Sequence, residues 1–222
     1  MIKKIKKAIK IWSLIVILML SNKSFSQSDD LFQCDQFPTT DSALNSNIRD
    51  LVAQNTEFET RMGAIYGNLS SEEQQRVDSY INNSDESLFS HFPQFDNNDL
   101  KNSVTLIKDK YSIVWNKHEE VFPHLDTDQR AEIIKTIIQC ASSKIRIDGE
   151  GSLEERMADD CEKERINCIA SVAAQAATMH LVCAYLDLTV IAGIICHGAA
   201  FTYQWTAGNN CNIAARRCRE AQ

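Results

Sequence analysis

Eight cysteines carry most of the chemistry this chain could do: Cys34, Cys140, Cys161, Cys168, Cys183, Cys196, Cys211 and Cys218. Thiols can hold zinc, exchange electrons or form structural disulfides, and spacing separates these uses. The last six are separated by 7, 15, 13, 15 and 7 residues, a palindrome. Pairing outermost with outermost gives 161–218, 168–211 and 183–196, and in each pair the residue numbers add to 379. A constant sum is the property of two antiparallel elements in fixed register. Among the ways of pairing six cysteines, the nested one alone satisfies it.

Those elements must be helices. At 100° per residue, steps of 7 and 15 rotate by about −20° and +60°, so each arm's three cysteines share a narrow stripe. On strands, odd steps would alternate faces. The intervening residues are rich in alanine, which favours helix. The first arm is expected from about 153 to 187, after the break "GEGSLEE" and a Ser152/Glu155 capping box. A turn near "LDLTV" follows, and the return arm runs from about 190 to 219. Gly208-Asn209-Asn210 is its weak place. The register sets Met179 against Ala200, Tyr203 against Ala176 and Val172 against Ala207. Large opposite small is how close helices interdigitate, and bridged Cα atoms must approach within about 7 Å. At the open end Asp160 should face Arg219, and Glu162 should face Arg217.

The N-terminus indicates the compartment. "MIKKIKKAIK" is basic, "IWSLIVILML" is a short apolar run, and Ser24 and Ser26 are small. This is the pattern of a Sec-type signal, with cleavage expected after Ser26. The apolar run is shorter than the roughly 20 residues a membrane span needs. Secretion or periplasmic location follows, where disulfides persist. Residues 1–26 hold six lysines and no acids, so the remainder carries 17 Lys+Arg against 30 Asp+Glu. The acid lies in 27–160, with 26 acidic and 12 basic residues, which argues against nucleic acid as a partner.

Segment 27–148 also reads as helical, which makes the chain all-α: an N-terminal helical region, then the hairpin at 149–222. "DSALNSNIRDLVAQNTEFETRMGAIYGNL" starts at an Asp41 cap and spaces Leu44, Ile48, Leu51, Phe58, Met62 and Ile65 for one helix face. "SSEEQQRVDSYI" opens with a Ser70/Glu73 capping box. Helices are expected from about Asn98 to Glu120 and after Pro123. By elimination Cys34 pairs with Cys140.

The chain has no nucleophile elbow, zinc-protease helix, phosphate loop or dinucleotide fingerprint. No catalytic residue, cofactor or metal is therefore assigned, and an enzyme is not expected. "KHEEVFPH" groups His118, Glu119, Glu120 and His124, and reads as a solvated helix end beside a proline turn. His180 and His197 fall within about a turn of each other across the hairpin. With Cys183 and Cys196 they offer a zinc alternative, although an exported chain favours the disulfide. The hairpin tip, "LVCAYLDLTVIAGIIC", carries one charge, Asp187. Tyr185, Leu186, Leu188, Val190, Ile191, Ile194 and Ile195 either pack against the N-terminal helices or form an exposed apolar binding patch. A spanning hairpin would place Gln175, His180 and the disulfides in hydrocarbon.

"VWNKHEEVFPHLDTDQRAEIIKTII" resembles the Trp-x-x-His and Leu-Thr-x-x-Gln pattern of exported proteins related to the bacteriocin fulvocin C. The matching residues are Trp115, His118, Leu125, Thr127 and Gln129, with Asp126 inserted between Leu125 and Thr127. The resemblance implies a secreted antibacterial factor or precursor that acts through its Cys-rich C-terminus on a membrane or protein target. The residues themselves equally suit a structural or adaptor protein of the periplasm or cell surface, with the hairpin as a rigid platform.

Overall fold

Helix α1 (Ser42–Tyr66) carries the predicted apolar stripe: Leu44, Ile48, Leu51, Phe58 and Met62 are all buried, with Ile65 packed at the core margin. A short turn leads to α2 (Ser71–Asn82), whose first turn is closed as the sequence predicts. The Ser70 hydroxyl accepts from the Glu73 amide, and the Glu73 carboxylate accepts from the Ser70 amide at 2.9 Å. These satisfy two of the N–H groups that a helix start leaves open. A helical turn, α3 (Leu88–His91), and a 3-10 turn at Pro93–Phe95 bury Leu88 and Phe95 and reverse the chain into α4 (Asn98–Val121). Residues 133–139 are helical after Pro123. The hairpin arms are α5 (Asp160–Tyr185) and α6 (Val190–Glu220).

The computed structural model describes residues 42–121, 123–129, 133–139, 141, 160–186 and 188–221, all within one compact unit. The signal segment, the Cys34–Cys140 pairing and the Ser152/Glu155 cap lie outside these residues. No strand occurs among the described residues.

The three nested disulfides are present as the palindrome requires, with Cα–Cα distances of 5.7 Å (161–218), 5.8 Å (168–211) and 5.7 Å (183–196). Ala176 and Ala200 are fully buried along the arms, as close helix approach demands. Tyr203 donates a hydrogen bond to Gln175 across the seam. Helix α6 runs unbroken through Gly208-Asn209-Asn210. Buried Cys211, bridged to Cys168, pins the next turn, and the expected weak place stays helical. Both facing pairs at the open end differ from expectation, since Arg219 pairs with Glu162 where Asp160 was expected. Glu162 meets Arg219 at 3.3 Å and Arg165 at 2.7 Å, instead of Arg217. Arg165 lies three residues along the same helix face, within easy reach.

The hairpin shares its core with the N-terminal helices. Helix α6 crosses α4 at Gly193, where an added Cβ would sit 2.6 Å from Val104 Cγ1. At Gly198 it approaches Ile81 of α2 and Met62 of α1. Phe201 and Trp205 close one end against Tyr66, with ring centroids 5.6 and 5.8 Å from the tyrosine.

Candidate functional site

The apolar tip divides in two. Ile194 and Ile195 are 1% and 4% exposed and belong to the main core, as does Ala184. Tyr185 and Val190 are 58% and 38% exposed, while Leu186, Leu188 and Ile191 are half-buried. Positions 194 and 195 follow Gly193, which meets Val104 of α4, and lie in the core, whereas 185 and 190 flank the turn. Thr189 caps α6, its hydroxyl accepting from the Ala192 amide at 3.3 Å, and so fixes the turn. Tyr185 reaches back to Trp115 of α4, centroid to centroid 6.4 Å.

One turn below the tip lies a buried polar cluster. His180 of α5 and His197 of α6, 1% and 2% exposed, stack with centroids 5.0 Å apart and their Nδ1 atoms 2.7 Å apart. A contact of this length is a hydrogen bond, which needs one proton between the two nitrogens. Glu59 of α1 lies 3.2 Å from His180 Nε2, and its other oxygen accepts from Gln204 Nε2 at 3.0 Å. Phe58 sets its ring against both imidazoles, 6.1 and 5.5 Å away. A carboxylate only accepts, so His180 Nε2 carries a proton. Two arrangements meet these constraints. In one, His180 is neutral and accepts from His197 Nδ1. In the other, the bond runs the opposite way, from His180 Nδ1 to His197 Nδ1. His197 is held neutral, well below the ordinary histidine range, first by burial and then by the neighbouring His180.

Beside this cluster a cavity of about 20 Å³, room for about one water, is lined by Asn55, Thr56, Glu59, His180 and Gln204. Asn55 Oδ1 is buried there without a hydrogen-bond partner. The alternative of a mixed zinc site at His180, His197, Cys183 and Cys196 is overturned, because both sulfurs are in a disulfide. The sequence brought the two histidines together but missed Glu59, Asn55 and Gln204. Asn55 left a signal: Leu51, Asn55, Phe58 and Met62 step by 4, 3 and 4 along one buried face. A polar residue in such a stripe asks for a partner.

The "KHEEVFPH" group is also split. Glu119, Glu120 and His124 are solvated, but His118 is fully buried on the core face of α4, against expectation. It lies four residues after Val114 and so continues the buried stripe of Ile107, Tyr111 and Val114. Further along, the Gln129 amide donates to Asp126 Oδ1 at 2.9 Å, and the Asp126 amide donates to Gln129 Oε1 at 3.1 Å. This reciprocal cap accounts for Gln129 as a helix start. No family model, curated protein or solved structure matches the chain. What the geometry does establish is an all-α protein whose hairpin, closed by three disulfides, belongs to an oxidising environment.

Proposed function

We propose that this is an exported, non-catalytic structural or adaptor protein of the periplasm or cell surface, with the stapled hairpin as a rigid platform and its tip rim as the docking edge. Export would use the Sec-type signal, with cleavage after Ser26. One observation carries the reading: the inner tip residues Ile194 and Ile195 lie in a core shared with α4, so the hairpin is held against its own helices. The small cavity beside the histidine pair fits a water and not a substrate. The acidic surface disfavours nucleic acid. Among the exposed apolar side chains of the described residues, which include Leu106, Ile113, Trp205 and Ile213, Tyr185 and Val190 are the two at the hairpin tip and offer a rim for a protein partner.

A second reading, a bacteriocin-like antibacterial factor acting on a membrane or receptor, draws on α5. Its 26 residues, with a mean hydropathy of 1.4 over its most apolar window, are long and apolar enough to cross a membrane, although half of that window is buried. Two measurements on the purified full chain separate the readings. The adaptor reading expects no dye release from phospholipid vesicles and no growth inhibition at micromolar concentration. Either effect would overturn it in favour of the second. A photo-crosslinker at Tyr185 in producing cells should capture a discrete protein, while the same probe at exposed Asn209 should not. Equal capture at both positions counts against a docking edge.

A further inference from the structure

We propose that the His180–His197 pair is an acid-sensitive latch: one shared proton ties the hairpin together beneath α1, and one proton too many opens the α1–hairpin seam. In its neutral arrangement the pair holds two protons, one on His180 Nε2 toward Glu59 and one in the Nδ1–Nδ1 bond. A third gives the pair one net positive charge beside the Glu59 carboxylate. A fourth places a proton on both Nδ1 atoms, which are 2.7 Å apart. The bond is then lost, and two cations face each other in a site almost closed to water.

The described groups that meet the pair offer one acid, Glu59. From α1 the facing groups are Glu59, the neutral Asn55 and Thr56, and the ring of Phe58. From α6 they are His197 and the neutral Gln204, and α5 contributes His180. Helix α2 approaches next to His197 at Gly198 through Ile81, which is apolar. Glu59 is thus the described carboxylate in contact with the pair.

The direction of opening also follows from the structure. The Cys183–Cys196 bridge, with its Cα atoms 5.7 Å apart, lies three residues from His180 and one from His197. The arms cannot separate to relieve repulsion. Helix α1 is tied to this cluster by side-chain contacts alone, so α1 yields. The burial that keeps His197 neutral has the same sign. Its folded pKa lies below the unfolded value, so the closed form has its full stability above about pH 6.5 and loses it as pH falls. Each extra proton taken up by the open form raises the open-to-closed ratio about tenfold per pH unit.

The test is amide hydrogen exchange of the full chain between pH 7 and 5, expressed as protection factors for residues 55–63. These should fall about tenfold per pH unit below about 6.5, with the hairpin arms near the disulfides still protected. In His197→Gln, which keeps a polar side chain but does not titrate, protection in 55–63 should vary less than about twofold per unit. The control His91→Gln, an exposed ring stacked on Tyr80, should behave like the native chain. Constant protection in the native chain, or an equal fall in His197→Gln, overturns the latch. Should His197→Gln not fold, ring NMR of the native chain decides. Ordinary titration of both buried rings near pH 6.5 with α1 still protected refutes the proposal, and release of α1 as the second ring protonates supports it.

Discussion

Replacing Cys161 and Cys218 together by alanine should cost about as much as removing either of the other two bridges, although it closes the longest loop. Taken singly on an otherwise reduced chain, the bridges span 57, 43 and 13 residues. Loop entropy then assigns about 4.2, about 4.0 and about 2.9 kcal/mol. The bridges are nested, and nesting changes the sum. While 168–211 is intact, the outer bridge closes only the two seven-residue steps beyond it, an effective ring of about 16 residues worth about 3 kcal/mol. Removing the middle bridge merges two small rings into one larger ring, and removing the inner one enlarges the middle ring. Each change is again worth about 3 kcal/mol by the same relation. The packing losses are similar too, since each bridge joins one buried cysteine, Cys161, Cys211 or Cys183, to a more exposed partner. Urea denaturation of the three double-alanine variants, with Cys34 and Cys140 retained, should give losses within about 1 kcal/mol of one another. The m-values should rise as the unfolded chain expands. If the outer variant loses about 1.3 kcal/mol more than the inner one, which is the difference between the single-loop values, the bridges act independently and the nested-ring reasoning fails.

Gly193→Ala should destabilise by about 1–3 kcal/mol in thermal or urea unfolding, because the added Cβ would meet Val104 Cγ1 at 2.6 Å. Adding Val104→Ala should recover part of that loss. Tyr66→Phe removes the hydroxyl that donates to Asp78 at 2.9 Å and should cost about 1 kcal/mol at pH 7. Burial already raises the Asp78 pKa and the tyrosine bond opposes that rise. The loss should therefore shrink as pH falls through the carboxylate range, and a constant loss would exclude the ionised bond. Glu162 is held below the usual carboxylate range by Arg165 first and Arg219 after it. Glu162→Gln should thus reduce stability above about pH 4.5 and have no effect well below it.

Everything set by spacing along one element was legible before any packing was known. The constant sum of the cysteines specified an antiparallel pair, the nesting and the register. The rotation of 7- and 15-residue steps specified helix. Ser70 with Glu73, and the stripe from Leu44 to Met62, determined where two further helices start and which way one of them faces. Such features are legible because periodicity and capping involve residues within a few turns of each other.

Tertiary structure decided which element covers each face. Ile194 and Tyr185 are equally apolar in sequence, and only the crossing of α6 over α4 at Gly193 buries one and leaves the other exposed. His118 looked solvated among charged neighbours until packing placed it on the core side. Glu59 lies 121 residues from His180 in sequence, and no local pattern connects them. The carboxylate beside the histidine pair is there because α1 lies across the hairpin at that level. Helical periodicity fixes the direction of a side chain relative to its own axis. Which partner it meets depends on how whole helices dock, a choice made by the summed burial of many distant residues and written in no single spacing.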